Sequence, residues 1–141
     1  MKRTANAHWN GSLKDGSGTL SAPGGVLKNT PYSFATRFGD KAGTNPEELI
    51  AAAHAGCFTM ALSHALGGAG FTPASIDTSA ALTLDSVGGG FAITAVHLDV
   101  SAKVPGIDAT RFQAIAADAK TNCPVSKVLN AKITMEARLL A

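Results

Sequence analysis

The sequence predicts an α+β domain, with strands and helices grouped rather than strictly alternating. Three observations carry this reading. Residues 75–87, 91–104 and 132–139 alternate apolar and polar with period two, as half-buried strands do. Two stretches open on helix-start signals, Asn45-Pro46-Glu47-Glu48 and Asp108. The order is hairpin, strand, helix, hairpin, helices, strand, which suits an antiparallel sheet with helices and not a doubly wound parallel sheet.

Each element has its own local reason. Asp15-Gly16-Ser17-Gly18 reads as a hairpin turn between short strands around 5–11 and 18–22, and Pro23-Gly24-Gly25 punctuates next. In Pro31–Phe38, period two puts Tyr32, Phe34, Thr36 and Phe38 on one face of an expected strand and Ser33, Ala35 and Arg37 on the other. Arg37 then has only small neighbours on its own face and room to reach a partner.

A loop over 39–44 leads to a helix over about 46–66, with Asn45 as N-cap, Pro46 at the first position and two acids in the first turn. It ends at Gly67-Gly68. Its body is small and apolar on every side, so it is expected to be buried.

Strands over 75–87 and 91–104 follow, joined by Gly88-Gly89-Gly90, with Val96, Leu98, Val100, Ala102 and Val104 on one face. Asp108 caps a helix over 109–121 that presents Phe112, Ile115, Ala116 and Ala119 as a stripe. A short helix over 124–129 and a strand over 132–139 close the chain.

The 141 residues are expected to form one domain, 1–141, with a real core. Net charge is +2 and the basic residues are scattered, with no run that suits nucleic acid. The N-terminus lacks the apolar core of a signal peptide. His54, Thr59 and His64 interrupt the longest apolar stretch, which reads as too short and too polar to span a membrane. The expected compartment is the cytoplasm, where two cysteines are core residues, metal ligands or redox-active thiols rather than a structural disulfide.

The two cysteines sit differently. Cys57 lies mid-helix among apolar neighbours, where burial raises a thiol's pKa and a lone cysteine commonly serves as a small hydrophobe. It becomes a nucleophile only if a cation approaches, and Arg37 is the best-placed one. Cys123 precedes Pro124 at a helix start, so unpaired N–H groups and the positive helix end favour its thiolate, unless it is merely an accidental cap. Such a thiolate is also a good leaving group in disulfide exchange. Glu47 serves the helix dipole in any case, and as an Arg37 partner it would orient the guanidinium. His54, Cys57 and His64 make a poor zinc set, because only His54 and Cys57 share a face.

Three motifs together carry a resemblance: Asn45-Pro46-Glu47-Glu48-Leu49, Ala52-Ala53-His54-Ala55-Gly56-Cys57-Phe58 and Cys123-Pro124-Val125-Ser126-Lys127-Val128-Leu129. With His8-Trp9-Asn10-Gly11, Arg37 and Gly70-Phe71-Thr72-Pro73, the chain resembles the OsmC/Ohr family of thiol peroxidases along nearly its whole length, and the position of Arg37 resembles the OsmC branch. The resemblance implies reduction of organic hydroperoxides, and of hydrogen peroxide, in peroxide stress defence. It implies Cys57 as the peroxidatic thiol, Cys123 as the resolving thiol, and Arg37 with Glu47 as the activating pair. It further implies an intertwined homodimer of antiparallel sheets around central helices, a dithiol reductant of the lipoyl type, and no cofactor or metal. An apolar pocket around Phe58 and Met60 would suit an alkyl chain.

Glu47 and Cys57 are ten residues apart on one expected helix, roughly 15 Å along its axis. They cannot share a site within one subunit, so Glu47 is expected to act at the partner's thiol, with the two helices antiparallel and close at their small residues. The competing reading is a non-catalytic dimeric module that binds an apolar ligand and leaves both thiols inert.

Overall fold

The computed structural model describes all 141 residues. They form two compact units, Met1–Leu49 and Ile50–Ala141.

In the first unit, β1 (Asn6–Asn10), β2 (Ser17–Ser21) and β3 (Thr30–Tyr32) make an antiparallel sheet in the order β1-β2-β3. The chain reverses over 11–16, where Asp15 N–H donates to the Ser12 hydroxyl at 3.2 Å. Gly18 is a strand residue. A Cβ there would lie 2.4 Å from the His8 carbonyl oxygen and 2.7 and 2.6 Å from the rings of Trp9 and Tyr32. Only glycine lets those two rings meet, and they pack with centroids 5.3 Å apart.

The strand expected over 31–38 stops at Tyr32, and α1 (Phe34–Phe38) takes its place. The cause is a capping box. Ser33 Oγ accepts from Thr36 N–H at 3.3 Å, and Thr36 Oγ1 accepts from Ser33 N–H at 2.8 Å. Helical spacing then pairs Phe34 with Phe38, centroids 4.9 Å apart, and Arg37 leaves the strand face assigned to it.

Helix α2 (Pro46–Gly68) starts where the sequence says. Asn45 Oδ1 accepts from Glu48 N–H at 2.8 Å, and the Asn45 amide donates to the Thr36 carbonyl at 3.2 Å. With 23 residues it is long and apolar enough to cross a membrane by length and composition, contrary to the sequence expectation. It is nevertheless tied into the core by one stripe, His54, Phe58, Leu62 and Leu66, at intervals of four. The helix is not buried all round. Ala52, Ala53 and Gly56, with little side chain to bury, are exposed on this chain, and so is the large apolar Met60.

The second unit is built on β4 (Ser75–Val87), β5 (Gly90–Lys103) and β6 (Lys132–Leu140), in the order β4-β5-β6. The β4–β5 hairpin is antiparallel, as expected. The β5–β6 pair is parallel, which corrects the all-antiparallel sheet. The reason is the connection: α3 (Ala109–Asn122) and α4 (Pro124–Val128) lie between the two strands, and a helical crossover returns the chain in the same direction. Asp108 caps α3, accepting from Arg111 N–H at 2.8 Å.

Phe58, Leu62 and Leu66 of α2, Val96, Leu98, Val100 and Ala102 of β5, and Phe112, Ala116 and Ala119 of α3 form one buried cluster. Each large member contributes about 1.5–3 kcal/mol by leaving water. Cys123 belongs to this cluster, and Cys57 packs against it.

Candidate active site

The structure assembles the expected residues as two pairs. The first lies in the Met1–Leu49 unit. Arg37, at the end of α1, grips Glu47, in the first turn of α2. Nη2 donates to Oε1 at 2.6 Å, and Nε lies 3.2 Å from both carboxylate oxygens. This two-armed pair fixes the guanidinium plane, and a lysine has no second arm to match it. Glu47 is only 14% exposed, whereas Arg37 is 37% exposed and keeps an open side. The guanidinium carbon also sits 5.2 Å from the centre of the Phe38 ring.

Beside Arg37 lies a small apolar cleft, lined by Trp9, Leu13, Tyr32, Ser33, Phe34, Phe38 and Pro46. This cleft includes neither Phe58 nor Met60, around which the sequence places an apolar pocket. Phe58 is fully buried in the core and Met60 is 76% exposed. The cleft needs the Gly18 contact between Trp9 and Tyr32 and the helical turn that follows Ser33, neither of which alternation reveals.

The second pair lies in the other unit. Cys57 is half-buried, Cys123 is fully buried, and both thiols are free. They act on each other directly. Burial pushes the Cys57 thiol up, the Cys123 thiol and its charge push it further, and the Val125 N–H opposes them only in part. For Cys123, burial is again the largest single effect and pushes upward. The Cys57 thiol, the N–H and hydroxyl of Ser126 and the N–H of Val125 together outweigh it and bring the pKa below the usual thiol value. The two shifts run in opposite directions, upward for Cys57 and downward for Cys123.

Cys123 is the N-cap of α4 with Pro124 at the first position, as the sequence indicates. Its sulfur makes no full capping hydrogen bond, so the polar groups of that first turn act on it through their electrostatics.

Two further residues join this pair. His54 lies three residues before Cys57 on α2, and Ser126 three residues after Cys123 on α4. His54 Nε2 and Ser126 Oγ are 2.8 Å apart. His54 is fully buried, its Nδ1 has no partner, and burial lowers its pKa. His64 is exposed, and no three His, Cys, Asp or Glu side chains converge to hold a metal, so the zinc set lacks its ligands. Ser126 carried no role in the sequence reading. Its signal is the spacing, because the third helical position faces the N-cap.

A family model for OsmC-like proteins matches residues 39–138. The chain belongs to the OsmC family. It is 56% identical over 139 residues to Peroxiredoxin OsmC of Escherichia coli K12, covering 99% of this chain and 97% of that one. It is 31% identical over 106 residues to the organic hydroperoxide resistance protein of Xanthomonas axonopodis pv. citri, covering 74% and 71%. The crystal structure of an organic hydroperoxide resistance protein from Elizabethkingia anophelis shares the fold, with a TM-score of 0.74 at 22% identity over 99% of both chains. The OsmC-family assignment agrees with the resemblance read from the cysteine motifs, and the greater identity lies with the OsmC relative. Arg37 precedes the residues that the OsmC family model spans, so its part rests on the ion pair with Glu47.

Proposed function

We propose that this protein reduces organic hydroperoxides with Cys57 as the peroxidatic thiol and Cys123 as the resolving thiol. The observation that carries the reading is the juxtaposition of two free thiols, one of them at a helix N-terminus with a depressed pKa. Inert thiols in an apolar binding module have no need of that arrangement.

In the first step the Cys57 thiolate attacks the distal peroxide oxygen. The O–O bond breaks, the alkoxide leaves and takes a proton to become an alcohol, and Cys57 becomes a sulfenic acid. In the second step Cys123 attacks the Cys57 sulfur. The S–S bond forms, the S–O bond breaks, and hydroxide leaves as water with the proton that Cys123 gave up. An external dithiol then returns both thiols by exchange and leaves as its own disulfide. We take that reductant to be of the lipoyl type, the cell compartment to be the cytoplasm and the physiological role to be peroxide stress defence.

Cys57 needs a cation for the first step, since burial and the neighbouring Cys123 push its thiol pKa up in this chain. Arg37 supplies it in our reading, with Glu47 fixing the fork, and the same charge meets the departing alkoxide. Glu47 stands in the first turn of α2 and Cys57 ten residues further on, roughly 15 Å along the helix axis. We therefore assign Arg37 and Glu47 to the Cys57 of a second copy, in a homodimer whose α2 helices meet antiparallel along their exposed small residues. The cleft beside Arg37 takes the alkyl group.

The test is mass spectrometry after one equivalent of cumene hydroperoxide. The expected product has lost two hydrogens and carries a bridge between 57 and 123, and Cys57→Ser abolishes turnover. Unchanged thiols after that treatment establish the binding module instead.

A further inference from the structure

His54 and Ser126 stand one helical turn from the two thiols. Along α2 the order is His54, then Cys57. Along α4 it is Cys123, then Ser126, so the two three-residue steps face each other in opposite directions, with Ser126 against His54 and Cys123 against Cys57. The 2.8 Å contact joins residues 72 positions apart.

The buried Nδ1 favours one polarity of this contact. It has no partner, and an unpaired N–H is tolerated inside a protein less readily than an unpaired acceptor. With the proton on Nε2, His54 donates it to Ser126 Oγ. With its acceptor side occupied, the Ser126 hydroxyl has its own proton free, and the Cys123 sulfur is the polar group it acts on.

We propose that His54 and Ser126 are a positioning pair for the resolving step, holding α4 against α2 and keeping the Ser126 hydroxyl donating toward the Cys123 sulfur. The pair touches neither peroxide nor reductant. It acts through Cys123, favouring the thiolate that attacks the Cys57 sulfenic acid and that leaves again when the bridge is reduced. The inference rests on the assignment of Cys123 as the resolving thiol.

Four variants test it: Ser126→Ala and His54→Leu remove the donors, Ser126→Thr keeps the hydroxyl, and His54→Gln keeps an N–H at the position of Nε2. Two quantities are read. One is the Cys123 thiolate pKa by absorbance in a Cys57→Ser background. The other is the rate of bridge closure after a single addition of cumene hydroperoxide, with Cys57 sulfenic acid trapped in parallel.

Ser126→Ala and His54→Leu are expected to raise the Cys123 pKa by about one unit and to slow closure by about tenfold, with sulfenic acid accumulating. Ser126→Thr and His54→Gln are expected to restore both. A wild-type pKa and closure rate in Ser126→Ala, which removes a single hydroxyl, overturns the proposal. So does a pKa that His54→Leu raises and His54→Gln leaves raised. If wild type forms no 57–123 bridge at all, it is the peroxidase assignment that fails, and the Cys123 pKa series still decides whether the pair tunes that thiol.

Discussion

Arg37 and Glu47 form a two-armed ion pair across the junction of α1 and α2, closed at 2.6 Å and held by Asn45, which caps α2 and donates to the Thr36 carbonyl. The guanidinium is thus oriented before any substrate arrives. Arg37→Lys keeps the charge but loses the fork, and Arg37→Met loses both. With Arg37 as the cation for the thiolate and alkoxide, Arg37→Met is expected to lower kcat/KM for cumene hydroperoxide by about 10²–10³-fold, on the scale of losing one transition-state donor. Glu47→Gln is expected to cost about tenfold, since the arginine stays charged but is no longer clamped. Steady-state assays with dihydrolipoamide as reductant measure both.

The thiol pair gives stability an unusual pH profile. Cys123 is depressed, so its contribution is present above the unfolded thiol pKa and is lost as pH falls through its folded value. Cys57 is raised, so its contribution is present below the unfolded pKa and is lost as pH rises through its folded value. The two losses lie on opposite sides of the unfolded thiol value, about 8.5. The pair's contribution to stability should therefore peak near that pH and fall on either side. Urea midpoints of the reduced protein from neutral to strongly alkaline pH, compared with a double Cys57→Ser and Cys123→Ser variant, measure this. Parallel curves for the two proteins would remove the coupling.

Much of the fold was legible because its signals are local. Asn45-Pro46 and Asp108 marked helix starts that the structure satisfies with hydrogen bonds, and the alternation of Val96 to Ala102 marked the buried face of β5. The stretch after Pro31 misled because two local signals compete there. Period two suits a strand, but Ser33 and Thr36 can cap each other, and two reciprocal hydrogen bonds decide for helix. The parallel β6 was not legible, since strand direction depends on where the crossover returns the chain. At the candidate site, the places of Cys57, Cys123 and Glu47 on their helices were legible, because N-cap and first-turn signals are local. Trp9 and Tyr32 could not, because their meeting depends on cross-strand register at Gly18.

That register is open to test. In Gly18→Ala a new Cβ meets the His8 carbonyl oxygen at 2.4 Å, and backbone cannot yield as a flexible side chain would. The expected destabilisation is about 1–3 kcal/mol, on the scale of overpacking. It should appear as a lower urea midpoint with an unchanged slope. The same variant should weaken discrimination among peroxides, because Trp9 and Tyr32 form the cleft beside Arg37.

The cleft itself makes a sharper prediction. If it holds the alkyl group, Trp9→Ala should raise KM for cumene hydroperoxide by about tenfold, in line with losing contact to an apolar group of that size. Hydrogen peroxide has no such group, so its kcat/KM should stay within about twofold of wild type. Equal losses for both peroxides would mean that Trp9 supports the fold and not the substrate.

The assignment of Arg37 to a second copy's Cys57 can be decided by mixing two inactive variants. Let one chain carry Cys57→Ser and the other Arg37→Met. Within a heterodimer, arginine serving its own chain leaves both sites broken, one lacking the thiol and one lacking the cation. Arginine serving the partner collects both lesions in one site and leaves the other with an intact Cys57 and an intact Arg37. Heterodimers purified by two different tags are then expected to recover about half of wild-type activity, one site in two. Heterodimers no more active than the parent variants would place Arg37 at its own chain's thiol, and the unbroken ten-residue spacing along α2 would have to be bridged by some movement of α1.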